Sequence, residues 1–197
     1  MNLVDRAKNI IMTPKTEWLA IAAEEPNVAQ IMTGYVIPLA LIPAIATLIG
    51  YGVIGSGFMH SFTWGIAYGC VSFVSTVVGV YVTAYVVDFL APNFGSQKNF
   101  GRAMQLVAYA YTPAWVGGVL NVIPALGVIG ALAGLYGLYL MYLGLPATMK
   151  TPQDKVVVYL IVAVVVLIVV YMIIGAILTG ILLSALGLTM LGGLGHM

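Results

Sequence analysis

Few residues in this 197-residue sequence could do chemistry, and one of them stands at the end of a long apolar run. Asp88 lies about one helical turn from the end of an uncharged stretch, with Lys98 and Arg102 close behind it in sequence. A carboxylate inside an apolar span is by default a functional residue with a partner to be found. Two interpretations follow: a structural salt bridge from Asp88 to Arg102, or a functional carboxylate.

A second group of polar residues lies around prolines that would interrupt a helix. The residues concerned are Tyr109, Tyr111, Pro113, Asn121 and Pro124. Proline removes a backbone hydrogen bond and frees a carbonyl group, which a nearby hydroxyl can satisfy. The sequence therefore predicts either a packed polar seam or a binding site at broken helices of the kind found in transporters, near Pro38, Pro43 and Pro113.

The groups that most enzymes and metal sites require are missing. The single cysteine, Cys70, allows no intrachain disulfide and no cysteine metal cluster. The two histidines, His60 and His196, lie far apart and outside any ligand-spaced motif. No G-x-S-x-G, Walker or H-E-x-x-H motif occurs. We predict a protein that is not an enzyme and that uses no catalytic residue, metal ion or cofactor.

The composition defines the environment in which these residues work. The chain is 62% hydrophobic and 7% charged, with a mean hydropathy of +1.08, whereas a soluble domain carries about 25% charged residues. So few charges cannot cover the surface of a water-soluble globule. A net charge of +1 supplies no basic footprint for nucleic acid. The composition is that of an integral membrane protein.

Uncharged runs between three charged segments predict an all-α membrane bundle. Each run is long enough to cross a bilayer, which takes roughly 20 residues. The run from Met104 to Thr148 would be about 68 Å long as one helix, so it must fold back, at the turn residues between Asn121 and Gly127. We predict five transmembrane helices, at about Ile31–Ile54, Phe62–Leu90, Met104–Leu120, Ala125–Pro146 and Val156–Leu183.

The positions of the basic residues predict the orientation. With the N-terminus inside, the inner segments are 1–30, 91–103 and 149–155, and these contain all seven lysines and arginines. The outer connections and the C-terminal tail contain none. Since cytoplasmic loops carry the excess of Lys and Arg, the N-terminus is predicted inside and the C-terminus outside.

The first 28 residues are predicted to lie on the membrane surface rather than across it. Apolar residues recur at helical spacing between Leu3 and Ile11, with charged residues between them, which indicates an amphipathic interfacial helix. Pro14 interrupts this helix, and a second interfacial helix follows with Trp18 as its anchor. Such a segment could be a membrane anchor or a docking site for a cytosolic partner. The predicted division is 1–28 interfacial, 29–190 transmembrane and 191–197 a short tail.

The second span carries a stripe of small residues, Gly65, Gly69, Ser72, Thr76, Gly79 and Thr83. At 100° per residue all six fall within about 40° of one line. Small residues let a second backbone approach closely, which is the main packing device between helices in lipid. Packing within the chain is favoured over a dimer interface.

The chain resembles the Yip1-domain family of five-span membrane proteins with a cytoplasmic N-terminus, and among them the bacterial members most closely. Before the first span it has a proline, an aromatic and an acidic stretch, running from Pro14 through Trp18 to Pro26. The third span is similar to the family's aromatic-x-aromatic-x-x-Pro pattern at Tyr109, Tyr111 and Pro113. The exit of the fourth span, from Tyr136 to Pro152, also resembles the family.

The resemblance implies a non-enzymatic multi-pass protein, here expected in the prokaryotic cytoplasmic membrane. Eukaryotic relatives act in vesicle trafficking and interact with small GTPases and with one another. This chain has about 30 residues before its first span in place of their long N-terminal arm, which argues against GTPase binding. The leading hypothesis is a membrane scaffold or adaptor whose partners are the lipid bilayer and either copies of itself or other membrane proteins. The alternative is a small transporter or channel at the proline-kinked helices, lined by Tyr109, Tyr111 and Asn121.

Overall fold

A computed structural model describes residues 2–54 and 62–174, apart from the side chains of Pro124, Val128 and Ala131. These ranges are helical as predicted and contain no strand. Contacts divide the chain into a unit of residues 1–160 and a unit of residues 161–197, of which residues 161–174 are described and are helical. The helices are α1 (Leu3–Met12), α2 (Pro14–Ala23), α3 (Val28–Ile54), α4 (Phe62–Leu90), α5 (Phe100–Ala110), α6 (Thr112–Gly117), α7 (Gly127–Met149) and α8 (Val156–Ile174).

Four helical segments in the described ranges are long and apolar enough to cross a membrane. They are Val28–Ile54, Phe62–Phe94, Leu132–Met149 and Val156–Ile174. These segments coincide with the first, second, fourth and fifth predicted spans. Residues 175–183, the rest of the predicted fifth span, lie outside the described residues, as do the predicted tail and both histidines. The chain is therefore an integral membrane protein built from apolar helices.

The third predicted span is not one continuous helix. The helix that begins at Phe100 ends at Ala110, and a separate short helix begins at Thr112. Pro113 stands in the first turn of that second helix, where the missing N–H of proline is tolerated. Two 3₁₀ turns, Gly118–Val122 and Pro124–Leu126, then reverse the chain into α7. The fold-back occurs where the turn residues predict it, and the helix is interrupted beside Pro113, as the sequence predicts.

The first membrane helix, α3, accommodates its prolines with wide π-helical turns. One such turn, Met32–Val36, ends two residues before Pro38 and is closed by the bond from the Ile37 N–H to the Met32 carbonyl. The second, Gly50–Ile54, closes the described part of the helix. Pro43 lies inside the α-helical stretch between them. The prolines therefore change the local winding of α3 without ending it.

The small-residue stripe of α4 packs against α3 within the chain. A Cβ built on Gly65 would lie 2.5 Å from the Cα of Gly52, and one built on Gly69 would lie 3.0 Å from the Ala44 carbonyl oxygen. Both distances are too short for a larger residue, so these glycines set the approach of the two backbones. Further along the stripe, the Thr83 hydroxyl hydrogen-bonds the Tyr111 hydroxyl at 2.8 Å. The remaining stripe residues are half-buried Ser72 and Thr76 and buried Gly79.

Candidate functional site

The two N-terminal helices are packed onto the bundle rather than lying free on its surface. Helix α1 contacts α5 and α6, and α2 contacts α7. Ile10 and Ile21 are fully buried, and the Tyr136 hydroxyl of α7 donates a hydrogen bond of 2.9 Å to the Ile11 carbonyl. Local signals start both helices, since Asn2 caps α1 by accepting from the Val4 N–H and Pro14 opens α2.

Trp18 differs from its predicted role as an interfacial anchor. Only 1% of its surface is exposed, and its ring meets the Tyr109 ring edge-on at 6.5 Å. Gly144 of α7 makes room for it, since a Cβ at that position would lie 2.8 Å from the Trp18 ring. An anchoring tryptophan would face the headgroups, whereas this one is a core residue that joins α2 to α5 and α7.

A buried ion-pair cluster fixes α1 to α2. The Arg6 guanidinium donates to a Glu17 carboxylate oxygen at 2.7 Å and to a Glu24 carboxylate oxygen, and it lies 5.4 Å from the centre of the Tyr109 ring. Arg6 and Glu17 are 5% and 6% exposed. Burial opposes the charged form of Arg6, but the bond to Glu24 and the nearby carboxylates outweigh it and raise the pKa of Arg6 above its usual value. The cation is thus held permanently in a largely dry setting.

Arg102 binds the segment at the end of α2 and does not form the predicted pair with Asp88. Its Nη1 donates to the carbonyl oxygens of Ala22 at 3.1 Å and Glu24 at 2.8 Å, and to Oε1 of Gln105 at 3.0 Å. No salt bridge joins Arg102 to Asp88 in the part of the chain that the structure describes. The prediction of that pair is wrong because the guanidinium is bonded to two backbone carbonyls of the segment at the end of α2 and to the Gln105 side chain.

Asp88 lies near the C-terminal end of α4 and is 8% exposed. Its Oδ1 is buried and has no hydrogen-bond partner among the described residues. Next to it in sequence, the Val87 carbonyl accepts a hydrogen bond from the hydroxyl of Tyr159, whose ring stacks on Phe94 with 4.7 Å between the centres. Asp88 is therefore a buried carboxylate beside a tightly packed aromatic contact rather than half of an ion pair.

The Arg6 cluster forms one wall of a polar cavity of about 320 Å³, here called the Arg6 cavity. It lies between the N-terminal segment, the start of α3 and the second half of α5. Its lining is mostly polar and includes two carboxylates, one guanidinium, three amide side chains and two tyrosines. The lining residues are Leu3, Arg6, Glu24, Glu25, Asn27, Gln30, Ile31, Gly34, Tyr35, Gln105 and Tyr109.

Beneath the cavity, a short chain of hydrogen bonds repairs the break in the third span. Pro113 has no N–H to offer the Tyr109 carbonyl four residues earlier, and the Thr112 hydroxyl donates to that oxygen instead at 2.7 Å. Because this bond uses the only hydrogen of the hydroxyl, the Tyr35 hydroxyl must be the donor in its 2.7 Å contact with Thr112. Thr112 is fully buried. A polar seam around Pro113 is predicted from the sequence, but the hydroxyls that repair the break belong to Tyr35 and Thr112, which were not among the residues predicted for it.

The three residues predicted to line one transport site do not come together. Tyr109 lines the Arg6 cavity, and Tyr111 bonds Thr83. Asn121 faces a separate cavity of about 300 Å³, where its side-chain amide donates to the Thr47 hydroxyl at 3.5 Å. Tyr51 and Tyr68 line the same cavity with their ring centres 5.0 Å apart. The side chain of Pro124 lies outside the described residues.

Several residues of the site were missed, and one of them had a signal. Leu3, Arg6, Ala7 and Ile10 share the spacing i, i+3, i+4, i+7, which places Arg6 on the apolar face of α1. A charged residue on that face requires a buried partner. The partners themselves, Glu17 and Glu24, carry no such signal. Within the described ranges no three His, Cys, Asp or Glu side chains come close enough together to hold a metal ion.

The fold and site define a polytopic helical membrane protein whose two N-terminal helices, α1 and α2, are packed onto the bundle and joined by a buried ion pair. We call these two helices the cap. Comparison with known proteins gives the family. The Yip1 domain model matches residues 8–174, so the chain belongs to the Yip1 family. It is 26% identical over 117 residues to the inner membrane protein YohC of Escherichia coli K12, and to YohC of E. coli O6:H1 strain CFT073. The match covers 56% of this chain and 60% of YohC. No solved structure matches.

Proposed function

We propose that this chain is a non-enzymatic scaffold of the bacterial cytoplasmic membrane that holds a partner protein at its cytoplasmic face. The observation that supports this most is the fixed attachment of α1 and α2 through Arg6, Arg102 and Trp18. A segment held at three points has one orientation before it binds, which lowers the entropic cost of binding a partner. The similarity to YohC, an inner membrane protein, supports the location.

The topology proposed for this scaffold is five crossings with the N-terminus inside. Four crossings are the apolar helices already described, and the third is the pair α5 and α6 with its repaired break. All seven basic residues then fall on the cytoplasmic side. Alkaline phosphatase fused after residue 197 should be active and the same enzyme fused after residue 99 inactive. The reverse result would overturn the orientation, and two active fusions would overturn the number of crossings.

The outer face of the N-terminal helices offers a surface suited to a protein partner. Lys8 and Lys15 are exposed, and Met12 and Leu19 beside them are 71% and 69% exposed. The two lysines and the two apolar side chains are all available for contact with a second molecule. Because the buried faces of the same helices are occupied by the bundle, this outer face stays free for a second molecule.

Transport at the broken helix receives less support from the packing. A transporter needs a polar path toward the bilayer midplane at its discontinuous helix. Below the Arg6 cavity, the described residues around the break are tightly packed: Val36, Ala110 and Thr112 are fully buried and Trp115 is 3% exposed. The Asn121 cavity is lined by a different set of residues. The geometry therefore favours the scaffold.

The test is to extract the protein in native lipid particles and identify what co-purifies by mass spectrometry. We expect a reproducible protein partner with the unchanged chain, and its loss in the double variant Lys8→Glu/Lys15→Glu. Lys98→Glu is the matched control, since Lys98 is an exposed lysine of the loop between α4 and α5. Retention of the partner in the double variant, or no protein partner at all, would overturn the proposal. A solute retained instead, and lost in Tyr111→Phe or Asn121→Ala, would support transport.

A further inference from the structure

The Arg6 cavity is large enough to hold a small polar molecule, and it opens to solvent, since Glu24, Glu25 and Gln30 in its wall are exposed. Its volume of about 320 Å³ corresponds to roughly ten water molecules at about 30 Å³ each. Its walls come from the segment before the first span, from the start of α3 and from the second half of α5. Neither the scaffold proposal nor the repaired helix break uses this cavity.

The charge of the lining selects the kind of molecule. One guanidinium faces two carboxylates, Glu24 and Glu25, and Glu17 lies behind Arg6 as a third. The guanidinium is already neutralised by Glu17 and Glu24, whereas Glu25 forms no ion pair within residues 2–54 and 62–174. Arg102 adds a second guanidinium next to the cavity, where it bonds Gln105 and the Glu24 carbonyl. The three carboxylates still outnumber the two guanidiniums, so the cavity attracts a cation rather than an anion.

A second, independent feature points to a ligand that forms hydrogen bonds. Tyr109 lines the cavity and is only 7% exposed, yet its hydroxyl has no hydrogen-bond partner in the described part of the chain. This hydroxyl is accessible from the cavity, where water or a bound molecule can form a hydrogen bond with it. Gln105, 2% exposed, also lines the cavity, but both ends of its amide have partners: Oε1 accepts from Arg102 at 3.0 Å, and Nε2 contacts the Glu24 carbonyl at 3.4 Å. The Tyr109 hydroxyl is therefore the acceptor that this wall of the cavity offers to a ligand.

The aromatic rings complete a site suited to an organic ammonium group. Tyr35 and Tyr109 line the same wall with their ring centres 4.7 Å apart. The face of a tyrosine ring attracts a cation through its quadrupole, and Arg6 already lies over the Tyr109 ring. A primary ammonium has three N–H donors, of which one can bond the Glu25 carboxylate and one the Tyr109 hydroxyl, while the third bonds water in the open part of the cavity.

We propose that the Arg6 cavity binds a protonated primary amine, in which the ammonium pairs with Glu25 and donates to the Tyr109 hydroxyl. The same chemistry is found in a free small amine and in the ethanolamine headgroup of a phospholipid. A metal ion fits less well, because the carboxylates of Glu17 and Glu24 are occupied by Arg6. A quaternary ammonium fits the rings but has no N–H to donate.

The test uses the full chain in dodecyl maltoside and titrates ethanolammonium chloride by isothermal calorimetry. We expect binding of ethanolammonium, at least tenfold weaker binding of choline, and none of ethylene glycol. Glu25→Gln and Tyr109→Phe should each weaken binding about tenfold or more, the range expected for hydrogen bonds to a charged group. Asp154→Asn is the matched control, since it removes an exposed carboxylate outside the cavity and should leave the affinity unchanged.

A second measurement separates the two sources of the ammonium group. Native mass spectrometry from nanodiscs containing phosphatidylethanolamine and phosphatidylglycerol should show ethanolamine lipid retained by the unchanged chain and lost in Glu25→Gln if the headgroup is the ligand. Binding of free ethanolammonium without lipid retention would identify a free amine. Failure to bind either, or binding that Glu25→Gln and Tyr109→Phe leave unchanged, would overturn the proposal.

Discussion

Replacing Arg6 by methionine tests whether the buried ion-pair cluster holds the N-terminal helices on the bundle. Methionine keeps the length and much of the volume of the arginine stem but removes its charge. Glu17, 6% exposed, would then remain as a buried carboxylate with no counter-charge. Breaking one side of a buried pair costs about 3–5 kcal/mol. We expect the lower end, about 3 kcal/mol, because the Glu24 side chain is 45% exposed and can be rehydrated.

Hydrogen exchange measured by mass spectrometry reports the loss of stability in α1 and α2 themselves. A cost of about 3 kcal/mol raises the opening equilibrium of α1 and α2 roughly 100-fold, at about 1.4 kcal/mol per factor of ten. Exchange of the backbone amides in both helices should accelerate by that factor in Arg6→Met. Glu24→Gln is the matched control, and since a half-exposed pair contributes about 0–1 kcal/mol, its exchange should change by less than about tenfold.

The double variant Arg6→Met/Glu17→Met completes the test. Removing the second charge abolishes the unpaired carboxylate, and replacing a buried pair with apolar residues is often neutral or stabilising. Exchange in α1 and α2 should therefore return most of the way to that of the unchanged chain. Equal effects of Arg6→Met and Glu24→Gln, or a double variant as destabilised as Arg6→Met alone, would refute the argument that charge burial holds the cap.

Three further predictions concern the packing around the cap and the helix break. Gly144→Ala should detach α2 and lower the free energy of unfolding, measured in mixed micelles, by about 1–3 kcal/mol, because the added methyl group overpacks the contact with Trp18. Gly134→Ala on the same helix should leave the free energy of unfolding unchanged, since nothing lies within 4 Å of a Cβ at that position. Thr112→Val should cost about 1–3 kcal/mol in the same assay because it leaves the buried Tyr109 carbonyl unsatisfied; an unchanged midpoint would contradict the repair. Asp88→Asn should leave the melting temperature equal or higher, since Oδ1 has no partner to lose, and a large drop would indicate a salt bridge after all.

The apolar helices and the break at Pro113 could be predicted because their causes are local. An uncharged run of about 20 residues has few alternatives to a membrane helix, and a proline leaves the same carbonyl unbonded wherever its helix packs. The small-residue stripe likewise predicts a close helix contact, and Gly65 and Gly69 form one with α3. The stripe does not predict which helix packs against it, because its small residues specify a surface of α4 and not the partner helix.

The predictions for Trp18 and Asp88 failed because both depend on residues distant in sequence. Trp18 packs against Tyr109 and fits into the space left by Gly144, and both residues are more than 90 positions away in sequence. Arg102 was matched to Asp88 because they are near in sequence, but its hydrogen bonds reach back 78 and 80 residues to Glu24 and Ala22. A prediction from sequence pairs charged residues that are near one another in the chain, whereas in the folded bundle a guanidinium can also bond backbone carbonyls that are distant in sequence.

The attachment of the N-terminal helices also sets the order in which this protein can be assembled. Helices α1 and α2 are synthesised first, yet the Tyr136 hydroxyl that bonds the Ile11 carbonyl comes 125 residues later. At about 5–20 residues per second, that interval lasts roughly 6–25 s on the ribosome. During this time Trp18 lacks the α7 surface at Gly144 that later helps to cover it, and α1 and α2 cannot reach their final position until α7 is in the membrane. Closure of the cap is therefore a late event, and an N-terminus that resists protease marks a chain inserted at least as far as α7.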